Sequence, residues 1–374
     1  MNMEELIKRI KEWSKGKPQG PISIHLDPTN RCNLRCRFCW QRSHERFGWL
    51  DRKTELSEKK LLEIVKDAAK LGIKDWLISG GGEPFARLSA TTKTMIEIKK
   101  HGMHGDIITN GTLLNEFYSR KIIESEWDVI RFSVNAPLES VHNFMVDKKD
   151  SFKKVIRSIK TIQKLKEKLR KEKPVIGFNT VITSRNYILF PSLVDLLNDL
   201  GGKILNVQTI ILYDTIEKIW SLNEEQRKDS IKYFKKALKK CKKYGIRTNI
   251  DSYVQKDVIE KTTEMGSIVD LGKKEVKKFK GNSFLKAFCY EPFYLVTIRA
   301  NGIVGSCRLF GDSGESIHNK TLAQIWFGEY FNNARKTLLK GPQSFCSKCG
   351  SNEFLEQAKI RNELAKVMTC SRMK

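Results

Sequence analysis

The chain has 374 residues, 40% of them hydrophobic, and a formal net charge of +26 from 69 basic and 43 acidic residues. That suits a large catalytic domain with an appendage and is more than one average domain needs. No apolar run approaches the roughly 20 residues of a membrane span, and the N-terminal MNMEELIKRIKEWSKGK has no apolar signal-peptide core, so the nine cysteines are expected to be thiols or metal ligands in a reducing, cytoplasmic setting.

Leu6, Ile7, Ile10 and Trp13 repeat at helical spacing, which predicts an N-terminal helix over 1–20 docking on the main domain. GPISIHL then reads as a strand, and a loop follows containing CNLRCRFCW, with Cys32, Cys36 and Cys39 spaced C-x3-C-x2-C. Beyond it amphipathic and apolar segments alternate. LSEKKLLEIVKDAAKLG, TTKTMIEIKKHG, NEFYSRKIIES, a basic helix to about Lys171 and PSLVDLLNDLGG are the helices. DWLIS, GDIITNG, WDVIRFSVN, KPVIGFNTVI and KILNVQTIIL are the strands. This βα alternation calls for a parallel sheet with helices outside. Six strands make a partial barrel, a (β/α)6 α/β fold over 21–250, rather than a closed barrel of eight. Residues 251–285 are polar and lysine-rich and read as a linker. From 286 to 374 the pattern changes to a small α+β domain: FYLVTIRANGIVGSCRLF as a hairpin turning at NG, TLAQIWFGEYFNNARKTLLKG as a helix, the knuckle CSKCG, and a last helix ending near Cys370.

The basic excess concentrates in 148–173, 235–247 and 273–280. Solvated outer faces of sheet-covering helices account for it; so does an anionic partner such as an acidic peptide, a phosphorylated metabolite or a lipid surface. Aromatics are not interleaved as an RNA-stacking surface requires, which argues against nucleic acid.

Three chemistries fit the triad. Zinc needs a second pair of ligands, for which only His25 and His44 lie near. A closed ferredoxin-type cluster needs a fourth cysteine, and none occurs before Cys241. A 4Fe–4S cluster on three thiolates keeps one iron open for an outside ligand.

CNLRCRFCW at the end of a first barrel strand resembles the signature of the radical S-adenosylmethionine (SAM) enzymes. The resemblance implies a SAM-binding 4Fe–4S cluster on Cys32, Cys36 and Cys39, reductive cleavage of SAM to a 5′-deoxyadenosyl radical, and a flavodoxin- or ferredoxin-type electron donor. It implies that Phe38 packs beside adenine and that the GGE turn (Gly81, Gly82, Glu83), following the second strand, holds the methionyl amino group. Asn110 in TNG, and Ser133 and Asn135 in SVN, come to face SAM at the ends of the third and fourth strands. The arginine many relatives carry after the fourth strand is absent, and Lys148 or Lys149 is the expected substitute. Cys289, Cys307, Cys346 and Cys349 resemble the auxiliary-cluster domains called SPASM and its short form, twitch. Leu355 and Lys359 stand where full SPASM domains have further cysteines, so one auxiliary 4Fe–4S cluster is expected. Cys370 is expected to be a tail thiol and Cys241 structural.

An auxiliary cluster closed by four cysteines suits electron transfer, so the expected function is a radical SAM oxidoreductase. Its substrate is polar: an aminosugar or other small metabolite, a lipid headgroup or a ribosomal peptide. The short N-terminus before Pro21 leaves no room for a winged-helix leader-binding module, which favours the small molecule. The alternatives are a redox-neutral radical SAM epimerase and, in another class, a zinc-stabilised RNA-binding protein.

Overall fold

A computed structural model describes residues 2–43, 53–210, 219–254, 277, 283–308, 314–343, 346, 349 and 351–369. Most of the expected linker, most of the basic run 273–280, His44 and Cys370 lie outside the described residues.

One sheet runs through the molecule in the order β10-β9-β8-β1-β2-β3-β4-β5-β6-β7. The strands are β1 Ser23–Leu26, β2 Asp75–Ile78, β3 His104–Thr109, β4 Val129–Phe132, β5 Val175–Val181, β6 Ile204–Gln208, β7 Arg247–Thr248, β8 Leu295–Ile298, β9 Ile303–Gly305 and β10 Glu315–Ser316. β1 to β7 pair in parallel, in sequence order. The six expected strands are all present, and IRTNI adds β7.

Among the described residues the helices of five residues or more are α1 Met3–Ser14, α2 Glu58–Lys70, α3 Leu88–Lys100, α4 Glu116–Glu124, α5 Glu139–Val146, α6 Ser151–Leu169, α7 Phe190–Asp199, α8 Glu224–Tyr244, α9 Leu322–Trp326, α10 Glu329–Lys340 and α11 Ser351–Thr369. α2 starts where the Ser57 side chain accepts from Lys60 N–H and stops where Gly72 takes a φ of 76°, which glycine adopts without a Cβ penalty. Apolar stripes such as Val155, Ile159, Ile162 and Leu165 of α6 are buried against the sheet in one core.

Four features differ from the sequence reading. The hairpin β8–β9 forms, but β8 also pairs in parallel with β1, Ser23 opposite Leu295. The C-terminal unit therefore continues the barrel sheet. The apolar face of α1 is used on that unit: Leu6, Ile7 and Ile10 pack with Tyr290, Phe293, Ile360 and Leu364, while Arg9 donates to Gly72 O of the barrel at 3.1 Å. The basic run 148–173 forms the one helix expected, α6, but an additional short helix without Lys or Arg, α5, precedes it, and Asp147 and Asp150 between the two take left-handed φ values of 55° and 61°. TLAQIWFGEYFNNARKTLLKG is also two, broken at Gly328, where a Cβ would lie 2.5 Å from Gln324 O. Among the described residues no helix is long and apolar enough to cross a membrane.

Candidate active site

The triad loop begins one residue after the buried Asp27 and is held from below before it reaches Cys32. The Glu55 carboxylate accepts from Thr29 Oγ1 at 2.7 Å and from Asn30 N–H at 2.9 Å. Arg87 donates to Pro28 O at 3.1 Å and to Leu56 O at 2.7 Å. The turn after β2 closes on the same stem: Gly82 N–H donates to Thr29 O and Glu83 N–H to Arg31 O, both at 2.8 Å. A Cβ on Gly81 would lie 2.1 Å from Asn30 Oδ1, and one on Gly82 2.1 Å from Arg31 O. Gly82 is therefore required by the approach of one backbone to another, and Gly81 leaves room for the Asn30 side chain.

Glu83 is buried and caps the helical turn Pro84–Arg87. Its Oε1 accepts from Phe85 N–H at 3.0 Å and Thr109 Oγ1 at 2.6 Å, its Oε2 from Asn110 N–H at 2.7 Å. Burial outweighs these donors and raises its pKa above the ordinary carboxylate value. The carboxylate ties the ends of β2 and β3 together. Asn110 carries the tie back to the triad: its Nδ2 donates to Asn33 Oδ1 at 2.9 Å, and Asn33 donates to Thr112 Oγ1 at 2.8 Å.

The triad, Phe38, Gly81, Gly82, Glu83, Asn110, Ser133 and Asn135 all line one cavity of about 260 Å³ at the C-terminal ends of β2 to β6. That is close to the lower limit of small-molecule sites. Phe38 stands 6.2 Å, ring to ring, from Trp220. The loop is pinned on α5 by Arg37, whose N–H donates to Met145 O at 2.9 Å and whose guanidinium pairs with Asp147 at 2.5 Å. Behind Asn135, the buried His142 accepts the Asn135 N–H through Nδ1 at 3.4 Å. Burial lowers the His142 pKa to about 4, so the ring is a neutral acceptor at physiological pH.

The sequence reading missed part of the wall. Asn179 of β5 and Gln208 of β6 line the cavity, and Asn179 Oδ1 accepts from Asn206 Nδ2 at 2.7 Å. Gly177, Asn179 and Val181 alternate along β5 and could have been placed on one face by their period of two. Glu55 and Arg87 carry no spacing signal. Among the described residues no Lys or Arg lines the cavity, and Lys148 and Lys149 are exposed outside it. Cys241 is buried in the core with its thiol pushed up to about 11 by burial, and it does not line the cavity.

The second cysteine group surrounds β8 and β9. Cys289 and Cys346 share an apolar contact with Phe288 and Leu338. Burial, then the neighbouring charge of Glu291, pushes the Cys289 thiol up, and Cys307 and Cys349 add to the effect. Cys346 N–H donates to Gln343 O at 3.0 Å, and Cys349 N–H to Cys346 O at 3.1 Å, the tight turn of a knuckle. Among the described residues no three His, Cys, Asp or Glu side chains converge on a single-ion site.

Both donor sets fit iron–sulfur clusters. The first offers three half-buried or exposed thiols on a cavity with room for a further ligand. The second offers four thiols, and at Cys289 and Cys346 burial disfavours the bare thiolate, a cost that coordination removes.

Residues 26–170 match the family model described as Radical SAM superfamily, and residues 289–350 match SPASM, an iron–sulfur cluster-binding domain. The chain is 30% identical over 189 residues to the tungsten-containing aldehyde ferredoxin oxidoreductase cofactor-modifying protein of Pyrococcus furiosus, covering 50% of this chain and 51% of that protein. It spans about half the length of the first curated relatives it matches. Among solved structures it resembles Streptococcus suis SuiB bound to its precursor peptide SuiA, with a TM-score of 0.64 at 15% identity over 89% of this chain and 71% of that one. It also resembles anSMEcpe with bound AdoMet and the Cp18Cys peptide, with a TM-score of 0.60 at 17% identity over 95% and 100%. The chain thus carries a radical SAM domain and a SPASM domain, which imply SAM and two 4Fe–4S clusters as its cofactors.

Proposed function

We propose that this chain, a radical SAM protein with a SPASM domain, is an oxidoreductase that takes two electrons and two protons from a neutral polar substrate of peptide type. The observation that carries the reading is the four-thiol set built around a strand that pairs directly with β1, the strand leading into the triad. When bound, the triad cluster and SAM supply a hydrogen-abstracting radical, and the auxiliary cluster supplies an acceptor for the electron left on the substrate.

The residues divide the remaining work. Glu55, Arg87, Gly82 and Glu83 hold the triad loop on the ends of β1 to β3. Phe38 and Trp220 offer an apolar flank suited to adenine. Asn110, Ser133 and Asn135 offer neutral polar groups toward the methionyl and ribose parts of SAM. Across the cavity Asn179 and Gln208 present carboxamides, which both donate and accept and so match peptide groups or hydroxyls. Among the described residues of this lining an anionic substrate would meet no Lys or Arg. The peptide ligands of SuiB and anSMEcpe agree with this choice. A flavodoxin- or ferredoxin-type donor would reduce the triad cluster.

The test is an anaerobic assay of SAM cleavage against a fractionated host extract, reading by mass a product that has lost two hydrogens. Replacing Cys346 and Cys349 with Ala should leave formation of 5′-deoxyadenosine intact and cut the ratio of oxidised product to 5′-deoxyadenosine by orders of magnitude. An unchanged ratio in a variant with wild-type circular dichroism would favour a redox-neutral epimerisation. Stoichiometric zinc without iron after anaerobic purification would overturn both.

A further inference from the structure

Glu291 is 3% exposed and begins a helical turn, Glu291–Phe293, two residues after Cys289. Its N–H donates to Cys289 Sγ at 3.5 Å. Its carboxylate is gripped by Arg308, the residue after Cys307: Nε meets Oε1 at 2.9 Å, and the Arg308 N–H donates to Oε2 at 3.3 Å. Arg308 is itself fixed. Its Nη2 donates to Glu356 at 2.8 Å, and its carbonyl accepts from Arg299 Nη2 at 2.6 Å. Arg299 Nη1 in turn pairs with the buried Asp27 at 2.8 Å. Asp27 and Arg299 balance each other, whereas one guanidinium at Arg308 faces two carboxylates. The Glu291 carboxylate is thus held out of water beside Cys289, while Arg308 and Glu356 stay partly exposed and two buried guanidiniums, Arg335 and Arg361, donate to Pro292 O and Phe288 O of the same segment.

We propose that the Glu291 carboxylate is a fixed charge that lowers the reduction potential of the auxiliary site, and that Arg308 is the positioning residue that keeps it there. This rests on the reading of Cys289, Cys307, Cys346 and Cys349 as cluster ligands. A negative charge in a low-dielectric surrounding opposes arrival of an electron more than the same charge in water. Charge near the sulfurs is one of the levers on cluster potential. A purely structural Glu291 would hold the loop without moving the potential.

The experiment is a potentiometric titration of the anaerobic holoenzyme followed by electron paramagnetic resonance. The signal that added SAM leaves unchanged belongs to the auxiliary cluster. Glu291→Gln should move that potential to a more positive value, Glu291→Asp should leave it near wild type because the charge is kept, and Glu356→Gln should move it in the same direction as Glu291→Gln by less. A wild-type potential in Glu291→Gln, with ~8 Fe per chain still bound, would overturn the proposal while sparing the cluster assignment. So would an Asp variant that shifts as far as the Gln variant. Iron of only ~4 per wild-type chain, all of it perturbed by SAM, would overturn the cluster assignment and the proposal with it.

Discussion

At Gly82 a single methyl group decides whether the triad loop can close. A Cβ there would lie 2.1 Å from Arg31 O and 2.5 Å from its carbonyl carbon, backbone atoms with no rotamer to yield. Gly82→Ala should therefore open the stem of the triad and lower bound iron from ~8 to ~4 per chain, leaving the auxiliary set loaded; iron and sulfide analysis reads the result. His142 and His25 make a second prediction. Burial lowers both to about 4, at His25 against the opposing charge of Asp27. The unfolded chain takes up these protons near pH 6.5, so stability falls as pH drops from 6.5 toward 4. The slope is about 1.4 kcal/mol per pH unit for each ring. His142→Asn should remove about half of that slope between pH 6.5 and 5, measured as urea midpoints under anaerobic conditions. That the triad, GGE, Asn110, Ser133 and Asn135 would share one cavity was expected from the family resemblance of motifs that follow strands, which are local patterns. Glu55 was not: its partners Thr29 and Asn30 lie 25 or more residues away, and a lone acid before a helix looks like any helix start.

Among the elements, α6 and α8 bear the lysines that dominate the charge. Their apolar stripes face the core, and Lys154, Lys160 and Lys164 of α6 are exposed on the outer side. None of the three lines the cavity. Changing them to Gln should alter stability by less than about 0.5 kcal/mol per site. The apparent KM for substrate should also stay level between low and physiological salt, a range over which exposed charges are screened across ~8–10 Å. A KM that climbs steeply with salt would make these lysines a recruiting surface. The N-terminal helix teaches a different lesson. Its amphipathic stripe was readable, but the partner was not, since apolar periodicity says that a face is buried and not against what. The partner is the C-terminal unit, sealed by Arg335, whose guanidinium lies 4.5 Å from the Trp13 ring and 4.4 Å from the Trp326 ring. Such stacking is worth roughly 0.5–2 kcal/mol per ring.

Across the whole molecule the decisive pairing is β8 with β1, Ile24 opposite Val296 and Leu26 opposite Ile298. It joins segments some 270 residues apart, as does the Arg299–Asp27 ion pair at its end. No local sequence pattern encodes such a contact, so the sequence suggested an appended domain where the sheet is continuous. The βα order of the barrel was readable because each parallel crossover repeats the same local alternation. The functional consequence is that both cysteine groups flank strands of one continuous sheet. The most direct measurement of the central claim is dithionite-dependent formation of 5′-deoxyadenosine from SAM by the anaerobically reconstituted chain, compared with Cys36→Ala. The account predicts 5′-deoxyadenosine from the wild type and none from Cys36→Ala, with the auxiliary iron retained in both. Equal amounts from the two proteins, or none from a wild type carrying its full iron, would contradict it.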